Sequence, residues 1–174
     1  MKQTPVAVAS VNTLAQLQAK PGTYILWMQL KQAQSISVGK LGTMQAQAGV
    51  YAYVGSAFGP GGVAARLRHH LAYSAKPRWH LDYLRQHALV WRCWVNHDAQ
   101  HRECLWAKVL AGITPYALPM PGFGSSDCAC TSHLFYFKRA PALRRFKQNL
   151  KRHHQGLVEA LPAPHGRVYE VLVE

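Results

Sequence analysis

Acidic side chains are scarce in this chain, seven Asp and Glu against twenty Lys and Arg, for a formal charge of +13. The imbalance favours a polyanionic partner, and nucleic acid is the commonest one. It also narrows any search for catalytic or metal-binding carboxylates to Asp82, Asp98, Glu103, Asp127, Glu159, Glu170 and Glu174. Long hydrophobic runs are missing too. No segment approaches the roughly 18 apolar residues of a spanning helix, so no membrane partner is expected. The opening M-K-Q-T-P-V-A-V-A-S-V-N is too short and mixed in its apolar part for a signal peptide, and a cytoplasmic location is expected. There is no P-loop and no G-x-G-x-x-G behind a strand, which removes support for nucleotide-cofactor folds. Cysteine is limited to four residues, and Cys93 and Cys104 fall inside expected elements as reduced, packed thiols. There is no internal repeat and no low-complexity tract.

What is present reads as one domain of mixed α and β order. Asn12-Thr13 precedes a short helical lead-in that Pro21-Gly22 ends. T-Y-I-L-W-M-Q-L-K is rich in β-branched and aromatic residues and is a strong strand signal. S-I-S-V-G repeats it after a polar gap, which predicts a hairpin, and Lys40 to Ala48 reads as a loop. A third strand spans Val50 to Gly55, and a basic helix about Val63 to Tyr73. Trp79 to His87 follows helical spacing, Leu89 to Val95 is a strand, and Gln100 to Leu110 is a helix with one broad apolar face. Pro115 to Cys130 is a loop, His133 to Phe137 a strand and Leu143 to His153 a second basic helix. A Pro/Gly linker at 156–166 leads to a final edge strand at Arg167 to Val173. The expected class is α+β, a small central antiparallel or mixed sheet flanked by helices.

The stretch Y-A-Y-V-G-S-A-F-G-P-G-G-V-A-A-R-L-R-H-H, from Tyr51 to His70, organises the chain. Tyr51 and Tyr53 share one side of a strand, and Arg66 and His70 share one face of a helix. A tyrosine pair beside an arginine–histidine pair suits an anion such as a phosphodiester. The plainer account is a buried strand followed by a solvated basic helix. Glu103 opens a later helix, where it either complements the helix dipole or serves as a carboxylate ligand for Mg²⁺.

In order, Gly22-Thr23-Tyr24, Tyr53-Val54-Gly55, Arg66, His70 and Glu103 resemble the GIY-YIG nuclease superfamily. The stretches G-T-Y-I-L, Y-A-Y-V-G-S-A, A-R-L-R-H-H-L, W-H-L-D-Y-L, E-C and G-F-G-S-S-D-C-A-C-T-S-H-L-F-Y-F resemble an uncharacterised branch of it. That branch is found alone or fused to endonuclease III-type repair enzymes. The resemblance covers about residues 21–138, leaving 1–20 as the lead-in and 139–174 as a basic helix and edge strand packed on the same domain. It implies a divalent-metal-dependent endonuclease acting on DNA, with Mg²⁺ or Mn²⁺ as cofactor and a place in DNA repair. A catalytically weak nucleic-acid-binding or repair-accessory domain is the alternative, and a repair protein a further partner. Carried over, Tyr24 is the general base or water-positioning group and Tyr53 its support. Arg66 stabilises charge on the phosphate, His70 assists proton transfer, and Glu103 holds the metal. The chain departs from the pattern in reading G-T-Y and Y-V-G, in a longer Tyr24–Tyr53 gap that implies an inserted strand around Ser35 to Val38, and in lacking a late asparagine. Tyr51 is a rival to Tyr24.

Around this core, Arg68, His69, His80, Arg144, Arg145, Lys147 and Lys151 are candidate nucleic-acid contacts, giving affinity without sequence choice. For His80 a structural place at a helix N-terminus serves as well. Ser125, Ser126, Asp127, Cys128 and His133 form a candidate cleft loop, with Asp127 either a second metal ligand or the residue that orients His133. Cys128, Cys130 and His133 could share a zinc, although C-x-C-x-x-H is not a standard spacing. Its fourth ligand would come from afar, Cys104 or His80. A Cys–His nucleophile has nothing else in its support.

Overall fold

The central strand is G-T-Y-I-L-W-M-Q-L, almost wholly buried on both faces. A computed structural model describes residues 12–72, 74–115, 120–155 and 168–173. Its strands are β1 (Asn12–Thr13), β2 (Gly22–Leu30), β3 (Gln34–Ser37), β4 (Thr43–Ala46), β5 (Gly49–Ala57), β6 (Leu89–Asn96), β7 (Leu134–Phe137) and β8 (Tyr169–Leu172). Its helices are α1 (Gly62–Leu71), α2 (His80–Arg85), α3 (Glu103–Ile113) and α4 (Leu143–Gln155). The main sheet runs β1-β8-β6-β2-β5-β7. Its five strands from β8 to β7 are antiparallel, and the two-residue β1 adds a parallel edge. The expected α+β class therefore describes the molecule.

Alternation along β2 divides the core in two. Tyr24, Leu26, Met28 and Leu30 face α1, α2 and the β3–β4 pair, where Val63, Leu67, Leu81, Leu84, Ile36 and Met44 are buried. Ile25 and Trp27 face α3 and α4, meeting Trp94, Trp106, Leu110, Phe146 and Leu150. On that second face Trp27 and Trp94 have ring centroids 4.6 Å apart, and Phe146 lies 5.3 Å from Trp94 and 5.2 Å from Trp106. Such pairs contribute about 0.5–1.5 kcal/mol each beyond the area they bury.

Several local expectations change. The S-I-S-V segment does not pair with β2. It pairs with Thr43–Ala46 as a separate two-stranded sheet, so the stretch expected to be a loop contains β4. β5, nine residues long, takes the place beside β2 along its whole length, which leaves no edge there for β3. The lead-in helix is one 3₁₀ turn, Leu14–Gln16, and the Asn12–Thr13 backbone before it pairs with β8. β8 is not the edge strand, because β1 lies outside it. Cys93 is buried as expected, whereas Cys104 is exposed on α3, whose apolar face is carried by Trp106, Ala107, Val109, Leu110 and Ile113. Residues 1–11, Tyr73 and the 156–166 linker lie outside the described residues.

Candidate active site

β2 starts, β5 ends and α1 follows directly at one end of the sheet. There a cleft of about 320 Å³ opens, lined by Tyr24, Tyr53, Arg66, His70 and Glu103 together with Gly55, Ser56, Arg78, Trp79, His80, Gly124, Ser126 and Asp127. Antiparallel register explains the tyrosines. Tyr24 pairs with Gly55 and Leu26 with Tyr53, so both phenols leave the same face of adjacent strands. A Cβ at Gly55 would collide with the Tyr24 ring, and one at Gly124 would lie 2.7 Å from the Tyr53 ring. Gly124 also has φ +71°, a conformation that suits glycine. Two glycines therefore make the room the two phenols occupy. Tyr51 is no rival to Tyr24: its hydroxyl donates to the Gln47 carbonyl at 2.8 Å, away from the cleft.

Arg66 and His70 stand one helical turn apart on α1. The His70 ring is buried and its Nε2 lies 2.7 Å from Tyr24 Oη, a shared proton whose donor follows the imidazole tautomer. Burial, then the adjacent Arg66 guanidinium, pushes the His70 pKa down to about 3. Burial, reinforced by Tyr53, raises the Tyr24 phenol well above its ordinary value, and burial with Glu103 raises Tyr53. Without bound ions the site thus holds neutral phenols against a neutral imidazole. The Arg66 guanidinium stacks over Trp79 at 4.4 Å and makes no ion pair among the described residues. It stays available to an anion.

Glu103 reaches the cleft from the first turn of α3. Ser56 Oγ donates to its Oε2, and His133 Nδ1 lies 2.8 Å from its Oε1. Its side chain is 24% exposed, and a carboxylate offers about four lone-pair positions, so these two contacts leave it able to take a cation. The carboxylates in the cleft are Glu103 and Asp127. The partner of His133 is Glu103, not Asp127, which instead lies on the cleft wall. The Glu103 hydrogen bond and charge raise the His133 pKa against the opposing effect of burial.

The loop residues divide. Ser126 and Asp127 line the cleft, Ser125 is buried beneath it, and Cys128 sits behind, 3.4 Å from His133 Nε2. One ligand atom each from Cys104, Cys128, Cys130 and His133 lie within 4.8 Å of one another, a group able to bind a metal ion. His80 is not part of it; its Nδ1 accepts the Gly124 N–H at 3.1 Å on the cleft side. Burial and the neighbouring sulfurs push the Cys130 thiol up to about 12, so the sulfurs cannot all ionise without a cation between them.

Other candidates stand outside. His69 is exposed on α1, edge-on to Trp79 with centroids 4.5 Å apart, and Arg68 is exposed beside it. Arg144, Arg145, Lys147 and Lys151 ride on α4, on the opposite face of the sheet, and line no part of the cleft. Asp82 and Asp98 are structural. Asp82 Oδ2 accepts the Arg78 and Trp79 N–H groups at the start of α2. Asp98 accepts the Gln100 N–H and holds Arg102 at 2.6 Å before α3. Sequence reasoning missed Ser56, Arg78 and Trp79 as cleft residues. The signal for Trp79 was its exposure, 42%, unusual for a tryptophan and invisible in one dimension.

The fold and cleft define a small cationic α+β domain with an open, polar pocket that holds two phenols, two arginines, two histidines and two carboxylates. The chain belongs to the family described as "Domain of unknown function DUF123", whose model matches residues 23–155. No curated protein and no solved structure matches the chain. Among the described residues no helix is long and apolar enough to cross a membrane.

Proposed function

We propose that this chain is a GIY-YIG-type endonuclease that hydrolyses phosphodiester bonds in DNA with a divalent ion, Mg²⁺ or Mn²⁺, and that it serves DNA repair. The observation that carries the reading is the meeting of Tyr24, Tyr53, Arg66, His70 and Glu103, spread over 80 residues and four elements, in one cleft of a chain of charge +13. Glu103 and Asp127 are the hard oxygen donors that would hold the ion, which would supply charge neutralisation and an activated water.

The chain's own residues do the rest. Arg66 offers a planar fork to the phosphate oxygens and is worth most where charge develops. Trp79, exposed at the mouth, offers a ring on which a base stacks, an interaction of about 1–3 kcal/mol. With His70 Nε2 bare, Tyr24 donates its proton to the imidazole and turns its own lone pairs towards an attacking water. A proton can then pass from water to Tyr24 Oη as the phenol proton passes to His70. The barrier to this relay in the empty cleft is the low basicity of His70, and an entering phosphate, by its negative charge, raises that basicity. Tyr53 keeps Tyr24 in place from the adjacent strand.

The test is a panel of labelled DNA structures incubated with pure protein and Mg²⁺ or Mn²⁺, with Glu103→Gln alongside. Cleavage that falls about 10³-fold or more in the variant, while binding persists, is expected. Binding without metal-dependent cleavage would reduce the protein to a nucleic-acid-binding module. Stable capture of a glycosylase-type protein in its place would make it a repair-accessory domain.

A further inference from the structure

We propose that Cys104, Cys128, Cys130 and His133 hold a structural zinc ion that ties the loop of Ser126 and Asp127 to the first turn of α3. The four donors come from two separate segments, Cys104 on α3 and the other three on the loop that leads into β7. Their ligand atoms lie within 4.8 Å of one another. A tetrahedral zinc with Zn–S bonds of about 2.3 Å needs sulfurs about 3.8 Å apart, so small side-chain rotations complete the site. The Cys128 Sγ to His133 Nε2 separation, 3.4 Å, already fits one edge of that tetrahedron.

The imidazole supplies the independent observation. A ligating histidine needs one bare nitrogen facing the metal, and the other nitrogen usually donates to a carboxylate that fixes the tautomer. His133 is placed for this before any ion is added: Nδ1 lies 2.8 Å from Glu103 Oε1, and Nε2 lies 3.4 Å from Cys128 Sγ. The donor set is soft. Three sulfurs and a nitrogen reject Mg²⁺ and Ca²⁺, which require oxygen, and suit zinc. Four protein ligands leave no open position, so the role is structural. Three thiolates and a neutral imidazole around Zn²⁺ give a site of net charge −1, with the thiol protons released on binding. Lys108 lines the same groove as Cys104 and Cys130 and brings a positive charge to that side. The loop has short backbone closures, Gly122 N–H to Thr131 O at 2.7 Å and His133 N–H to Phe123 O at 2.8 Å. A bond to Cys104 adds the link that these closures lack, between the loop and the helix that bears Glu103.

The inference is independent of whether the cleft cuts DNA, because its readout is metal content. The full chain, purified under reducing conditions without chelator, is expected to carry one zinc per molecule by elemental mass spectrometry. Cys128→Ser and Cys130→Ser should each lower that content at least about tenfold, while Cys93→Ala, whose thiol is buried elsewhere, keeps it. Glu103→Gln should weaken zinc by about 10–100-fold in chelator competition, as loss of an orienting carboxylate does. Should a cysteine variant fail to fold, two measurements on the wild type decide. Titration with a mercurial should release zinc in step with three thiols. Cobalt exchange should give the intense visible bands of a tetrahedral site with thiolate-to-metal charge transfer. Metal-free protein that refuses stoichiometric zinc or cobalt would overturn the proposal. So would a chain two hydrogens lighter from a disulfide among Cys104, Cys128 and Cys130, or a weak octahedral cobalt spectrum.

Discussion

Helices α1 and α4 carry similar cationic sequences on opposite faces of the sheet, A-A-R-L-R-H-H-L and L-R-R-F-K-Q-N-L-K-R-H-H-Q. α1 turns Arg66 and His70 inward, over Tyr24 and Trp79, at the end of the sheet where two strands and α3 converge. α4 turns Phe146 and Leu150 inward, with Leu143 partly buried against the same core, and leaves Arg144, Arg145 and Lys151 exposed. Charge of the same sign is thus put to different use. On α1 a cation sits beside buried polar groups that fix its direction; on α4 cations add to the field of the surface. Charge marks a partner's sign, and convergence with buried polar groups marks where chemistry can occur.

The contrast can be broken most forcefully from the α4 side. If α4 is held by its apolar pair, Phe146→Ala should cost about 3–5 kcal/mol in urea unfolding, as removal of a buried aromatic ring does. A loss below about 1 kcal/mol, the range of ordinary surface substitutions, would mean that α4 is a loosely attached arm. On α1, Arg66→Ala should lower single-turnover cleavage about 10²–10³-fold, and Arg66→Lys should rescue little of it because an ammonium lacks the fork. Equal loss of DNA affinity and rate would instead make Arg66 a simple phosphate anchor.

His70 sharpens the contrast through pH. Its folded pKa, about 3, lies below the ordinary 6.5, so between these values the unfolded chain binds the extra proton. Stability is therefore lost as pH falls from about 6.5 towards 3, at up to about 1.4 kcal/mol per unit for this group. Denaturation midpoints measured across that range should fall less steeply in His70→Asn; identical slopes would mean that the imidazole is solvated. The smallest effect is expected on the exposed side. Arg144→Ala, Arg145→Ala and Lys151→Ala combined should weaken DNA binding and flatten its log–log salt dependence by about 0.9 for each phosphate no longer neutralised. That change should appear in Kd rather than in the single-turnover rate.

Much of this was legible in one dimension because the signals are local. β2, β5, β6, α1, α3 and α4 follow from β-branched and aromatic runs or from helical spacing. The five cleft residues could be named from their ordered motifs. Pairings were harder. The β3 segment carries a strand signal, but nothing in it states that β4, not β2, is its partner, since register depends on competition for one edge. Cys104 falls inside an expected element, which points to packing, whereas the rotation of the helix turns that residue outward.

What the sequence alone determined is the class of most elements, the sign of the chain's own charge and the residue types that could meet a phosphate. These depend on side-chain chemistry and short-range periodicity. The tertiary structure decided which residues meet. It set Glu103 between His133 and Ser56, put its neighbour Cys104 with the thiols of a distant loop, and sent Asp127 to the cleft wall. The physical reason is that successive residues on a helix point about 100° apart, so two neighbours in the chain can serve two different sites.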